Sequence, residues 1–261
     1  MTRLRLLLCV LLFAGSAMVP SRAEAAPGGH TVSAEDLYSL GLKWLRRGYY
    51  QKALEQFNRV RTYYRDDPYS LKAELAIADI HFKKNEWDEA RLAYEDFKRS
   101  HPRYPELDLV VYRLGLVLYK KAPIIPDRDQ SVTRQTVAEW AGFSSQFPES
   151  QYRPEVEKYL GKARARLAKK ELLVAQFYAR RNSWPAVVGR VEPMLRTWPE
   201  SPDGGEALAL YGKALHELGN EEGAKSVVEK LQAKPEDAKW LRELQRDLSK
   251  PAKPGKVGRT G

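Results

Sequence analysis

Residues 37–57, LYSLGLKWLRRGYYQKALEQF, and residues 74–94, ELAIADIHFKKNEWDEARLAY, align on Ala53 and Ala90. In the first stretch Leu37, Leu40-Gly41, Trp44, Gly48, Tyr50, Ala53 and Phe57 recur as a helical pattern of large and small residues. In the second, Ile77-Ala78, His81, Asn85, Trp87, Ala90 and Tyr94 repeat it in residue type, followed by Phe97 and Pro102. A further copy runs from Glu206 to Lys234 through Leu208, Tyr211-Gly212, Leu215, Gly219, Ala224, Val228 and Leu231. Another aligns Val174-Ala175, Tyr178, Trp184, Val187, Val191, Met194 and Pro199. A fifth is interrupted: Val111, Leu114-Gly115 and Leu118 are parted from Trp140, Phe143 and Pro148 by extra residues.

Self-similarity of this kind is the tetratricopeptide pattern of about 34 residues. Each unit is two helices joined by a tight turn, at Arg47-Gly48 in the first copy and Leu218-Gly219-Asn220 in the last. Small residues such as Gly41, Ala53, Ala90 and Ala224 let paired helices approach, and Trp44, Tyr50, Phe57, Trp87 and Tyr94 fill the space between them. One unit alone leaves an apolar face uncovered, so neighbours must stack. The expected fold is therefore all-α, a solenoid of about five helical hairpins. Pro68, Pro102, Pro148 and Pro199 are placed to stop second helices. Pro123 and Pro126 mark Ala122 to Gln130 as a loop inserted in the third repeat. Apolar spacing through Val156, Leu160, Leu167, Leu172 and Phe177 predicts one long helix from Pro154 to Arg180, linking two halves. The halves are residues 34–150, with three repeats, and residues 151–250, with the long helix and two repeats.

The first residues read as an address. Arg3 and Arg5 precede an apolar run from Leu6 to Val19, and Ala23-Glu24-Ala25 follows. A charged start, a short apolar stretch and a small-x-small site predict a signal peptide cut after Ala25, and export; an uncleaved anchor is the other reading. Cys9, the single cysteine, follows Leu6-Leu7-Leu8 rather than a small residue, so it makes no convincing lipid-attachment site. Residues 26–33 and 251–261, rich in Gly, Pro and Lys, are expected to be flexible segments, the second of them basic.

The chain has 261 residues, of which 43% are hydrophobic and 30% charged, enough to build a core. One cysteine excludes an intrachain disulfide and any multi-cysteine metal site. Formal charge is +10, from 44 basic and 34 acidic residues. Residues 1–25 hold three arginines and one glutamate, leaving 41 basic and 33 acidic residues beyond them. Lys253, Lys256 and Arg259 lie in the tail, so residues 26–250 carry only +5, too diffuse for the basic stripe of a nucleic-acid binder.

Catalytic patterns are missing from the sequence: no GxSxG elbow, no HExxH, no P-loop and no Rossmann glycine motif. His30, His81, His101 and His216 are dispersed without metal-ligand spacing, and His81 reads as a structural histidine. Pairs such as Glu55 with Arg59 are solvated helix faces. The expectation is a protein that is not an enzyme, without a cofactor, a metal or a small-molecule substrate. Recognition is the alternative. First helices of stacked hairpins line an inner face, which by spacing carries Tyr38, Leu42, Leu45 and Arg46 from the first repeat and Leu75, Asp79, Phe82 and Lys83 from the second. Apolar anchors mixed with charges suit an extended or helical peptide. Equally, several of these residues fit the core between repeats.

Beyond the repeats, FPESQY at 147–152, RLAKKELLVAQFY at 166–178, WPAVVGRVEPML at 184–195 and ALEQFNRVRTYYRDDPYS at 53–70 are specific. Together these segments resemble the BamD (ComL/YfiO) family of outer-membrane protein assembly lipoproteins, over about residues 33–235. The resemblance implies five tetratricopeptide-like repeats on the periplasmic face of the outer membrane. It implies binding of the periplasmic domains of a BamA-like barrel protein through the C-terminal half, and possible contact with other lipoproteins of the assembly complex. It also implies that the N-terminal half reads the C-terminal strand signal of unfolded outer-membrane proteins. By resemblance Arg190 is the residue for partner coupling or for reading the substrate signal, Phe177 a further aromatic of that half, and Tyr64 an aromatic for the substrate signal. The sequence departs from the family in lacking its acylated cysteine, and the insertion in the third repeat is short. Two other functions stay open on sequence. One is a periplasmic repeat adaptor of envelope constriction or peptidoglycan synthesis, which predicts a coiled coil before the repeats. The other is an enzyme such as a murein hydrolase, which needs a poised catalytic carboxylate.

Overall fold

A computed structural model describes residues 32–251. The signal peptide, Cys9, most of the segment 26–33 and the tail beyond Pro251 lie outside the described residues. Residues 34–251 belong to a single compact unit. All regular structure among the described residues is helical, without a strand.

In chain order the helices are α1 (Ala34–Arg46), α2 (Tyr50–Tyr63), α3 (Pro68–Lys83) and α4 (Trp87–Ser100). Then come α5 (Leu107–Lys121), α6 (Ser131–Trp140), the single turn α7 (Phe143–Gln146) and α8 (Arg153–Ala179). The chain continues with α9 (Trp184–Thr197), α10 (Gly204–Glu217), α11 (Glu221–Gln232), a 3-10 turn at Pro235–Asp237, and α12 (Ala238–Leu248). Successive helices pack on each other in sequence order: α1 on α2, α2 on α3, and so on to α10 on α11 and α12. The five hairpins are α1/α2, α3/α4, α5/α6, α8/α9 and α10/α11.

Four of the hairpin turns are built alike. Gly48, Asn85, Asn182 and Gly219 have positive φ, between 56° and 79°. Each follows the last turn of a first helix. The next residue's N–H reaches back to a helix carbonyl: Tyr49 to Trp44, Glu86 to His81, Ser183 to Tyr178 and Asn220 to Leu215, all within 3.1 Å. This is the helix stop in which a left-handed residue satisfies orphan carbonyls, and glycine and asparagine adopt that conformation at least cost. The third hairpin has no such turn. The chain there runs through the insertion, where Gln130 donates to the carbonyls of Ile125 and Arg128 and accepts from Thr133.

Core packing follows the same slots. Gly41, Ala78, Gly115, Ala175 and Gly212 sit on buried faces of the five first helices. A Cβ on Gly41 would lie 2.5 Å from the Phe57 ring, and one on Gly115 would overlap the Trp140 indole. Opposite them, Ala53, Ala90, Thr136, Val187 and Ala224 are fully buried on the second helices. Each of the five core clusters combines one hairpin with the helix that follows it. Helix α8, at 1.5 Å per residue about 40 Å long, serves two clusters. Val156 and Leu160 pack on α5 and α6, whereas Leu172 and Ala175 pack on α9 and α10. Helix α12 closes the array, with Leu244 fully buried over Gly212.

One expectation is corrected. Pro68 does not stop a second helix, since α2 ends at Tyr63 and Pro68 is the first residue of α3. Its fixed φ and missing N–H suit that position, and Asp67 caps the helix by accepting from the Tyr69 N–H at 2.8 Å.

Candidate functional site

First helices touch one another across repeats: α1 with α3, α5 with α8, and α8 with α10. The array closes up on that side, which is therefore its inner face. In the first three repeats this face is rich in tyrosine. The Tyr38 ring on α1 lies 5.4 Å from Phe57 and 5.3 Å from Tyr69 on α3. Burial pushes the Tyr38 phenol up, with added repulsion from Tyr104, Asp79 and other neighbours. A hydrogen bond to Glu35, then burial, pushes Tyr69 up as well. On α5, Tyr112 donates to Glu155 of α8 at 2.8 Å and stacks on Tyr152 at 4.8 Å. Its phenol is also raised, first by burial and then by Glu155.

Between these aromatics, three helices share one polar cluster. Asp79 on α3 accepts from the Tyr94 hydroxyl of α4 and pairs with Arg113 of α5 at 3.1 Å. Burial pushes the Tyr94 phenol well above its ordinary value, and Asp79 adds to that. Burial pulls the Arg113 guanidinium down, but Asp79 and the surrounding tyrosines outweigh it and the net shift is upward. The Arg113 Nε is buried and lacks a partner among the described residues.

The residues expected on this face fall into three groups. Arg46 and Lys83 are exposed. Tyr38, Leu42, Leu45, Tyr64, Asp79 and Phe82 are half-buried. Leu42, Leu45 and Tyr64 edge the first core cluster, and Phe82 meets Trp87 edge-on at 5.4 Å. Leu75 is a correction: it is only 9% exposed and packs inside the second cluster with Ala78, Ala90 and Val110, so it lines no groove. Spacing alone put it on the inner face. It turns inward because α5 covers that stripe of α3 as well as α4. Tyr69, Tyr94, Tyr112 and Arg113 were missed. The signal for Tyr94 was its hydroxyl at a core position, since buried tyrosines require a polar partner.

The C-terminal half presents a second surface. Arg190 on α9 is exposed and pairs with Glu171 of α8 at 3.2 Å. Phe177 is 42% exposed, and the Arg181 guanidinium sits 3.5 Å above its ring. A cleft of about 480 Å3 beside it is lined by Asp127, Leu173, Val174, Phe177, Tyr178 and Arg180. Asp127 belongs to the third-repeat insertion, whose Ile124 and Ile125 are 82% and 55% exposed. Arg166 and Lys170 of α8 hold that loop through the carbonyls of Pro123, Asp127 and Arg128. The exposed isoleucines were not singled out from sequence.

His81 bonds Glu86 at 2.7 Å across its hairpin turn, and His216 bonds Glu221 in the same way, so both are structural. Among the described residues no group of three or more His, Cys, Asp or Glu is placed to hold a metal ion. No helix among them is long and apolar enough to cross a membrane.

Known proteins carry the same pattern. The chain is 27% identical over 217 residues to the outer membrane protein assembly factor BamD of Xylella fastidiosa (strain Temecula1), covering 80% of this chain and 74% of that protein. To BamD of Neisseria meningitidis serogroup A it is 26% identical over 196 residues, covering 72% and 73%. To BamD of Vibrio cholerae serotype O1 it is 23% identical over 213 residues, covering 78% and 88%. The sequence pattern of the YfiO family, described as outer membrane lipoprotein, matches residues 30–231, which is most of the solenoid. The chain belongs to the YfiO family of outer membrane lipoproteins.

Proposed function

We propose that the protein is a non-enzymatic scaffold of outer-membrane β-barrel assembly, working from the periplasmic face of that membrane. The observation that carries this is the family match across residues 30–231, which includes both surfaces described above. The surface around Arg190 and Phe177 holds the periplasmic domains of a BamA-like barrel protein. A planar guanidinium fork on an exposed helix suits a carboxylate or backbone carbonyls of a partner. The neighbouring Phe177 cleft adds apolar area, and other lipoproteins of the assembly complex join the same scaffold.

The inner face of the first three repeats takes the C-terminal strand of unfolded outer-membrane proteins. Tyr38, Tyr64 and Phe82, with Leu42 and Leu45, supply half-buried apolar contact for alternate side chains of an extended segment. Arg46, Asp79 and Lys83 set its polarity. Rigid aromatic anchors lose little side-chain entropy on binding.

Pull-down of the exported protein from outer-membrane extract tests the first half. It is expected to recover a large barrel protein bearing periplasmic domains, and Arg190→Glu is expected to lower that recovery at least tenfold, about 1.4 kcal/mol or more. Unchanged recovery with Arg190→Glu removes Arg190 from the interface. Recovery of septal or peptidoglycan-synthesis proteins alone replaces this reading with an adaptor of envelope constriction.

A further inference from the structure

On the far side of α9 from Arg190's partner helix α8, a cleft of about 630 Å3 opens between α9, α10 and the end of α11. Leu195, Pro199, Leu208 and Tyr211 give it apolar walls. Arg196, Lys230 and Lys234 ring it, against one carboxylate, Glu192. None of these three cations has a carboxylate partner among the described residues. Elsewhere Lys98, Lys169 and Lys213 each reach a carboxylate of another segment: Glu139, Asp203 and Asp247. Arg196 and Lys230 lie in the last turns of their helices, where the helix dipole favours cations. That preference accounts for each of them singly. It does not account for their convergence on an open apolar cleft.

We propose that this cleft is a docking site for an acidic, leucine- or phenylalanine-bearing segment of another polypeptide. The apolar side chain enters between Leu195, Leu208 and Tyr211, and flanking carboxylates meet Arg196, Lys230 and Lys234. Charge complementarity selects this occupant over the chain's own tail, which carries Lys253, Lys256 and Arg259 and is repelled by the same ring. Volume agrees, since clefts that seat a small ligand or a few side chains measure about 300–1,000 Å3. The site uses none of the residues assigned to the barrel protein or to the substrate strand, so a second partner can bind together with them.

The test uses the full chain with a photoreactive benzoylphenylalanine at Ala233, an exposed residue on the rim of the cleft. After irradiation in intact cells, the cross-linked peptide is identified by mass spectrometry. The expected product is one segment of a different protein, richer in Asp and Glu than in Lys and Arg and bearing a large apolar residue. Its yield is expected to fall at least tenfold in the pair Lys230→Glu, Lys234→Glu, and to stay unchanged with Lys225→Glu, an exposed lysine of α11 outside the cleft. If the reversed pair unfolds, as judged by its thermal midpoint, the pair Lys230→Ala, Lys234→Ala takes its place. Adducts with lipid, with the chain's own tail, with a second copy of the chain or with a basic segment overturn the proposal. So does an adduct indifferent to the charge change, or no adduct at all.

Discussion

Gly115 and Gly161 lie on neighbouring first helices, and substituting each by alanine is expected to have opposite signs. A methyl on Gly115 meets the Trp140 indole, which is 1% exposed and cannot step aside. Gly115→Ala should cost about 1–3 kcal/mol through overpacking. Gly161 lies exposed within α8 with nothing near its missing Cβ, so Gly161→Ala should stabilise by about 0.5–1 kcal/mol. Urea unfolding of the two variants checks both signs, and a neutral Gly115→Ala would remove the close approach from the argument. The polar cluster gives a ranked pair. Tyr94→Phe loses one hydroxyl bond, worth about 1 kcal/mol net. Asp79→Ala strands both the Tyr94 hydroxyl and the part-buried Arg113, so it should cost more than Tyr94→Phe. A smaller loss for Asp79→Ala contradicts the cluster's role. Residue type was legible at these positions, because Gly41, Gly115 and Tyr94 read as close-packing residues from the repeat pattern. Their partners were not, since Asp79, Tyr94 and Arg113 come from three helices and meet only once the hairpins stack.

At the level of elements, the repeat pattern located hairpins well because the turn chemistry is local. Gly48 and Gly219 marked turns in the sequence and take left-handed stops, as do Asn85 and Asn182, which the pattern alone did not assign to turns. Pro68 misled, because a proline just beyond one helix is also a proline at the start of the next. Leu75 misled for another reason: a first helix in a solenoid is covered on two sides, and spacing reports one. The last element, α12, lacks a repeat partner in sequence, yet it covers Gly205, Gly212 and the outer side of α10. Terminal repeats need such a cap, as an uncovered apolar face is left otherwise. Part of its attachment is ionic. Burial pushes the Asp247 carboxyl up, but bonds and charge contacts with Lys213 and Lys250 outweigh it and hold the group below its ordinary range. A carboxyl lowered in the folded state stabilises above its unfolded pKa, about 3.9, and that contribution is lost as pH falls through the lowered folded value. Acid should therefore loosen α12 from α10 before the neighbouring hairpins open. Amide exchange as pH falls below about 4, compared between the wild-type chain and Asp247→Asn, reads this out: the variant should show α12 loose already at neutral pH. Equal α12 protection in both chains at neutral pH defeats the assignment.

The whole molecule is a row of clusters, each joined to the next by one shared helix, and that arrangement makes its two surfaces separable. The first core cluster holds α1, α2 and α3, and the surface proposed for the barrel partner, on α8 and α9, rests on the fourth. In a linear array stability is a sum of repeat terms and nearest-neighbour interfaces, so damage at one end decays along the chain. Phe57 is fully buried at the centre of the first cluster. Phe57→Ala should cost about 3–5 kcal/mol, enough to open the first hairpin locally. Amide protection should fall in α1, α2 and α3 and stay intact from α8 to α12. Function should divide along the same line. Binding of a peptide with an outer-membrane protein's C-terminal sequence should be lost, because Tyr38, Leu42, Leu45 and Tyr64 all edge the opened cluster. Recovery of the barrel protein through Arg190 and Phe177 should remain within about twofold of the parent chain, under 0.5 kcal/mol. If Phe57→Ala abolishes both together, the array unfolds as one cooperative block, and the two surfaces are coupled through α8 rather than merely carried on it.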